Sequence, residues 1–277
     1  MKHILFLILF ILSFVVTIGF NAEADDNRYE VIEDPIELGE HVYEKTTYQN
    51  LTNYFVNSGA IDLRIPEIMV DYARIFQCEV YQDYYEDEHE WQQISKAIAT
   101  SAMKKIDKTL TRSQRRKGYF YFTSNLRLER FDPTVNGFPL HPEDAMHQIQ
   151  RIEVIDMRKY NLCNKNGVGA AFPTKTFLQT ENHITLDTLV VPDEGAFEQI
   201  SDIRVSKRNS ARNITAVYFF SVYNYEDSTA RECANSRMNC LDLVGELEYI
   251  SYYKTPELKD FLFIQKIEKE NPESDRL

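Results

Sequence analysis

The segment HPEDAMH, His141 to His147, holds four potential metal ligands in seven residues. Zinc takes imidazole nitrogens and carboxylate oxygens, and a helix presents such groups together when they stand one turn apart. Read as a short helix entered after His141, the segment sets Glu143 and His147 at i and i+4 on one face, with Asp144 beside them. The bland reading is an exposed Pro-Glu-Asp helix start, its acids answering the helix dipole and Glu143 paired with His147. We favour the bland reading. No cofactor and no metal are expected, and His141, Glu143 and His147 stand as the candidate ligands if one binds.

Other strings begin like chemistry and stop short. HEWQQ, His89 to Gln93, opens like the zinc-protease pattern H-E-x-x-H, but the second histidine is Gln93, a poor zinc ligand. Asp87 followed by Glu90 is a capping pattern, so a capped helix start explains the string. The acidic run Asp83, Glu86, Asp87, Glu88 and Glu90 lacks the spacing of an EF-hand loop and reads as a solvated helix start. Gly167 and Gly169 lack the third glycine and the preceding buried strand of a nucleotide loop. SAMK, Ser101 to Lys104, matches S-x-x-K formally, but no S-D-N or K-T-G follows. There is no G-x-S-x-G and no Walker lysine, so any triad must be assembled from distant residues, and catalytic residues stay unassigned.

Charge and cysteine narrow the class. The 277-residue chain carries a net charge of −12, which disfavours a nucleic acid partner. Against that background Lys104 to Lys117 gathers seven positive charges beside the single acid Asp107. These could meet an anionic headgroup, a cell-wall polymer or an acidic partner. A helix C-terminus followed by a solvated turn explains them equally, and is favoured. The cysteines are Cys78, Cys163, Cys233 and Cys240. In an oxidising compartment an even count reads as disulfides. The short polar loop CANSRMNC favours Cys233–Cys240, which leaves Cys78 for Cys163; free buried cysteines are the alternative. No C-x-x-C occurs, against a thioredoxin-like or zinc-ribbon role.

These groups must be positioned by the elements around them. Lys2, an apolar run from Ile4 to Phe20 and Ala22-Glu23-Ala24 make residues 1–24 a secretory signal peptide, with cleavage after Ala24. A retained N-terminal anchor is the alternative, and no later stretch is long enough to span a membrane. Residues 25–45 read as an acidic extended arm. Residues 46–268 form a single domain, helical over 46–112 and β-rich over 118–268, and 269–277 are a tail. Thr47 caps a first helix that Gly59 ends, with Tyr48, Leu51 and Phe55 on one face. A second, continuous helix starts at Pro66 and runs to Tyr85, with Ile68, Tyr72, Phe76 and Val80 as its stripe. A third follows Asp87, with the stripe Trp91, Ile94, Ile98, Ala102, Ile106 and Leu110. Then the period becomes two: Phe120, Phe122, Leu126 and Leu128 share a strand face. Further strands are expected from Ile152, His183, Ile203, Asn213, Gly245 and Phe261, with one or two helical turns after Pro192. Hairpins are expected at KRNSARN and at YYKTPELKDF. Helices first and strands after predict an α+β fold, N-terminal helices packed on a C-terminal, mainly antiparallel sheet.

TYQNL at Thr47, CEVYQDYYEDEHEWQQI from Cys78 and RFDPTVNGFPL from Arg130 are three landmarks. With them the chain resembles an uncharacterised family of exported bacterial proteins known only as a domain of unknown function. The resemblance spans Thr46 to Ile267 and implies a bacterial, exported, single-domain protein, with no catalytic role to carry over. The function expected is a non-catalytic binding or interaction protein of the cell envelope, periplasmic or secreted, with an envelope or extracellular ligand or protein as partner. The alternative is a periplasmic or secreted hydrolase with dispersed residues, metal-assisted through His141, Glu143 and His147. A pocket where histidines and carboxylates converge would favour the enzyme, and a flat or grooved aromatic patch the binding protein.

Overall fold

A computed structural model describes residues 35–104, 115, 117–156, 161–163, 165–166, 173–205, 211–228, 233 and 240–267. Residues 1–34, including the expected signal peptide, Ile106 and Leu110, most of the basic cluster, Gly167 and Gly169, residues 206–210 and residues 268–277 lie outside the described residues. Within them, no helix is long and apolar enough to cross a membrane.

Local chemistry sets the helix ends. Helix α1, Tyr48–Ser58, is capped by Thr47, whose Oγ1 accepts from Asn50 N at 3.1 Å. It stops at Gly59, which takes φ +78°, a left-handed value that suits glycine. Tyr48, Leu51 and Phe55 are buried as their spacing requires. Helix α2, Pro66–Phe76, starts with its proline in the first turn. The expected continuation does not occur. The chain breaks at Gln77 and restarts as α3, Cys78–Tyr84. The cause is the burial pattern: a strict period of four drifts about 40° per step around a helix of 3.6 residues per turn. Ile68 of the expected stripe is buried, but Met69, Ala73 and Ile75 take the place of Tyr72, Phe76 and Val80, which are half-buried, and the break turns Cys78 and Tyr81 inward. Helix α4, Glu88–Lys104, is capped by Asp87 Oδ1, which accepts from His89 N and Glu90 N, both at 3.0 Å. Trp91, Ile94, Ile98 and Ala102 are only half-buried; Ala99 is the buried residue of this helix.

The strands are β1 (Ile36–Leu38), β2 (His41–Lys45), β3 (Gly118–Leu128), β4 (Gly137–Pro139), β5 (Met146–Asp156), β6 (Asn161–Leu162), β7 (Lys165–Asn166), β8 (Lys175–Leu186), β9 (Thr188–Val190), β10 (Arg212–Asp227), β11 (Cys240–Tyr253) and β12 (Phe261–Lys266). Eight of those described form one sheet in the order β1-β2-β3-β10-β11-β8-β5, with β12 also on β11. The fold is α+β, but the sheet is mixed, not mainly antiparallel: β2 pairs with β3, and β8 with β11, in parallel. Parallel neighbours need a crossover. The helical segment is the crossover between β2 and β3; the stretch holding β10 joins β8 to β11. Residues 36–45 are therefore not a detached arm but a hairpin turned at Gly39 (φ +63°) and stitched to the sheet.

Ile203 to Val205 form no strand. Ile203 N donates to Ile200 O at 3.1 Å, closing the end of α5, Glu194–Ser201. The partners of β10 are β3 and β11. The β11–β12 hairpin forms as expected. Phe120, Phe122, Leu126 and Leu128 face the main core under the helices. Tyr43, Tyr121, Val217 and Phe219 make a second, aromatic cluster, in which the Tyr43 hydroxyl donates to Glu248. Where β11 passes between β10 and β8, a Cβ on Gly245 would stand 2.0 Å from Ser221 O, so only glycine fits. The four cysteines fall into two pairs at disulfide distance, Cys78 with Cys163 and Cys233 with Cys240, Cα atoms 5.3 and 6.0 Å apart.

Candidate functional site

HPEDAMH does not form a helix. Asp144 N and Ala145 N both donate to His141 O, at 2.8 and 3.1 Å, and β5 begins at Met146. Glu143 and His147 thus lose the one-turn relation, and His147 is exposed on a strand. Arg127 on β3 takes the carboxylates. Its Nε donates to Asp144 Oδ2 at 2.8 Å and one Nη to Oδ1 at 2.7 Å, while its backbone N–H reaches Oδ2 at 2.8 Å. The same Nη reaches Glu143 Oε2 at 2.9 Å. Burial pushes the Asp144 carboxyl up, but the Arg127 hydrogen bonds outweigh it and hold the group below the usual range. The cluster anchors a turn. Among the described residues, no three histidines, cysteines or carboxylates stand close enough to hold a metal.

The other strings resolve locally. His89 and Gln93 meet side chain to side chain at 3.1 Å on the exposed face of α4. The acids from Asp83 to Glu90 are exposed, and Ser101 is exposed on α4. Two landmarks have structural explanations. In CEVYQDYYEDEHEWQQI, Tyr81, Tyr85 and Trp91 pack ring to ring, with centroids 4.6 to 5.9 Å apart, fixing the corner between α3 and α4. In RFDPTVNGFPL, Asp132 Oδ1 accepts from Thr134, and a Cβ on Gly137 would stand 2.7 Å from Leu189 O.

Among the described residues, two adjoining hollows lie on the N-terminal helices. Between α2 and α4 runs a groove of about 650 Å³, floored by Leu63, Met69, Trp91, Ala99 and Met103. A second hollow of about 560 Å³ adjoins it, sharing Leu63, Arg64 and Met103 and adding Val56, Ile61, Asp62 and Arg115. The groove exists because Ser95 and Ala99 are small where α4 passes α2, leaving space that longer side chains would fill. Its polar walls are largely used by the helix itself: the Thr100 hydroxyl donates to Lys96 O at 2.7 Å and that of Ser95 to Gln92 O at 3.4 Å. Among the described residues, the charged ones lining it are Arg64 and Lys96, both cations. Asp62 holds Arg64 in place. Its Oδ1 accepts from Arg64 N at 2.9 Å and from Nε at 2.8 Å, and its Oδ2 accepts from one Nη at 2.6 Å. These bonds hold the Asp62 carboxyl below the usual range. A third hollow, about 370 Å³, lies beside α5 and is lined by Phe131, Asn136, Val191, Pro192, Asp193, Glu194 and Phe197. Asp193 there caps α5 through Ala196 N at 2.8 Å.

Sequence reasoning did not mark Arg64, Met69, Ser95, Lys96 or Ala99. The readable signal was the spacing Gln92, Ser95, Ala99, Met103, a second face of α4 with small residues at its middle. Of the basic cluster, Arg115 is placed beside the groove.

No curated protein and no solved structure is significantly similar to the chain. The model of the family described as domain of unknown function DUF4852 matches residues 67–212, more than half of the chain. That span holds α2, α3, α4 and the Arg130–Leu140 landmark; α1 with TYQNL, and the strands after β10 begins, fall outside it. With this match over the helices that form the groove, the chain belongs to the DUF4852 family.

Proposed function

We propose that this protein is an exported, non-catalytic binding protein of the bacterial cell envelope, and that the groove between α2 and α4 is its binding site. The observation that carries the reading is the lining of that groove: among the described residues it has an apolar floor with one tryptophan and two methionines, and no histidine, cysteine or carboxylate. Pockets of this size and character hold small ligands. Methionine adapts to irregular apolar shapes, and tryptophan supplies rigid contact area. Two cysteine pairs at disulfide distance suit an oxidising compartment. The metal-assisted form of the hydrolase reading draws on His141, Glu143 and His147, and it is the less supported because Arg127 takes Glu143 and His147 stands out on β5.

Thermal melting against fractionated envelope extracts tests the proposal. At least one fraction should raise the melting temperature, because a ligand that binds only the folded state stabilises it by mass action. No shift with any fraction, together with turnover of chromogenic ester or glycoside substrates, would overturn it. Cell fractionation should find the chain outside the cytoplasm.

A further inference from the structure

We infer that the α2–α4 groove takes an amphipathic anion, a molecule with a saturated hydrocarbon body and a single carboxylate or phosphate head. This rests on the binding reading and specifies its ligand. Three observations carry it. The floor is hydrocarbon and thioether: Leu63 and Met69 are buried core residues whose outer surfaces form it, and Met103, 38% exposed, lies in the wall shared with the second hollow. The hydroxyls along the α4 wall are turned back onto the helix backbone, at Lys96 O and Gln92 O. Such walls offer a ligand little directional hydrogen bonding, which suits an acyl chain and not a peptide backbone. The charges that line the groove are cations, Arg64 and Lys96, in a chain whose net charge is −12.

Charge complementarity therefore names the head group. Arg64 engages Asp62 through Nε and one Nη, so the second Nη is not held by this pair. The Arg64 side chain is 76% exposed, and a surface pair of this kind is easily shared with a second anion. A guanidinium and an ammonium lining one groove match a carboxylate or a phosphate. A cationic head finds no acid among the described groove-lining residues. The body would lie over Leu63, Met69 and Ala99 toward Trp91. A second copy of the chain is a poorer fit, because a stable dimer needs roughly 1,000 Å² of complementary surface and this face is a concave furrow.

Trp91 is the only tryptophan and lines the groove, so its fluorescence reports occupancy directly. Full-length chain, disulfides intact, is titrated below the micellar range with dodecanoate, dodecyl phosphate, dodecanol and dodecyltrimethylammonium. Saturable blue shifts are expected with at least one of the two anions; the comparison between them identifies carboxylate or phosphate. Dodecanol should bind at least tenfold more weakly, and the cation should give no saturable change. Lys96→Glu, an exposed change that leaves the fold intact, should weaken anion binding by at least tenfold, and Arg64→Gln should do so to a similar or smaller degree. Equal binding of the cationic and anionic chains, or unchanged affinity in both variants, would sink the inference. A melting shift with an envelope fraction but none with either anion would also sink it, while leaving the broader binding reading standing.

Discussion

The turn at His141–Ala145 and the groove between α2 and α4 both gather charged side chains, and they use them in opposite ways. In the turn, one arginine answers two carboxylates and a backbone donor, so the charges satisfy one another and fix the path from β3 into β5. In the groove, two cations line an apolar hollow, and among the described residues Arg64 alone is answered, by Asp62 of the adjoining hollow. A dense cluster of reactive residue types can thus be spent on architecture, while a site forms where packing leaves a gap and charge is left over. The difference can be broken or sharpened by substitution.

The largest effect is expected where the helices are tied to the rest of the chain. Cys78 and Cys163 lie 85 residues apart, and Cys233 and Cys240 only 7. In the loop-entropy account, replacing the first pair by alanine costs roughly 4–5 kcal/mol and replacing the second about 2. Urea midpoints of the two double variants measure both losses. The Cys78–Cys163 pair holds α3, and through Tyr81 and Trp91 the start of α4, so its loss should also raise the exposure of Trp91. Equal losses for the two variants would show that the helical layer is held by packing alone.

Asp144→Ala should come next, at about 3 kcal/mol, because it strips the Arg127 guanidinium and its backbone N–H of their shared acceptor. Glu143→Ala, at a largely exposed carboxylate, should cost about 0.5 kcal/mol. The Asp144 effect also has a sign in pH. Its carboxyl titrates lower in the folded state than its ordinary value, so its stabilisation is complete above the unfolded value of about 3.9. It is lost as pH falls through the folded value. The stability gap between the protein and Asp144→Asn should be constant from about pH 5 to 7 and close in acid. A gap that widened in acid would show that the turn is not held by the ionised form.

How much of this was legible depended on the range of the interactions. Thr47, Gly59, Pro66 and Asp87 set helix ends from chemistry within four residues, and each could be read directly. The break at Gln77 could not, because it answers to Cys163 and to the rings around Trp91. Strand faces were readable in β3, yet its partners were not: β2 and β10 are far away in sequence, and parallel pairing across a helical crossover leaves no local mark. HPEDAMH misled because i and i+4 spacing means proximity only on a helix, and His141 O closes a turn instead. The groove was least legible of all. It is a difference between packed volumes, set by Ser95 and Ala99 being small opposite Met69, and it carries no motif.

The smallest stability effect is the one on which the comparison turns. Lys96→Ala removes an exposed ammonium for which the described residues supply no ion pair, and its cost should stay within about 0.5 kcal/mol. Measured beside Asp144→Ala by the same urea titration, it should differ by at least 2 kcal/mol. If Lys96→Ala were as damaging as Asp144→Ala, the groove cation would be a structural tie like Arg127, and the charge left over in the groove would no longer need a ligand to explain it. If it leaves the midpoint unmoved, the positive charge beside an apolar hollow in an acidic protein serves something other than the fold, which is the condition under which a binding site at α2–α4 makes sense.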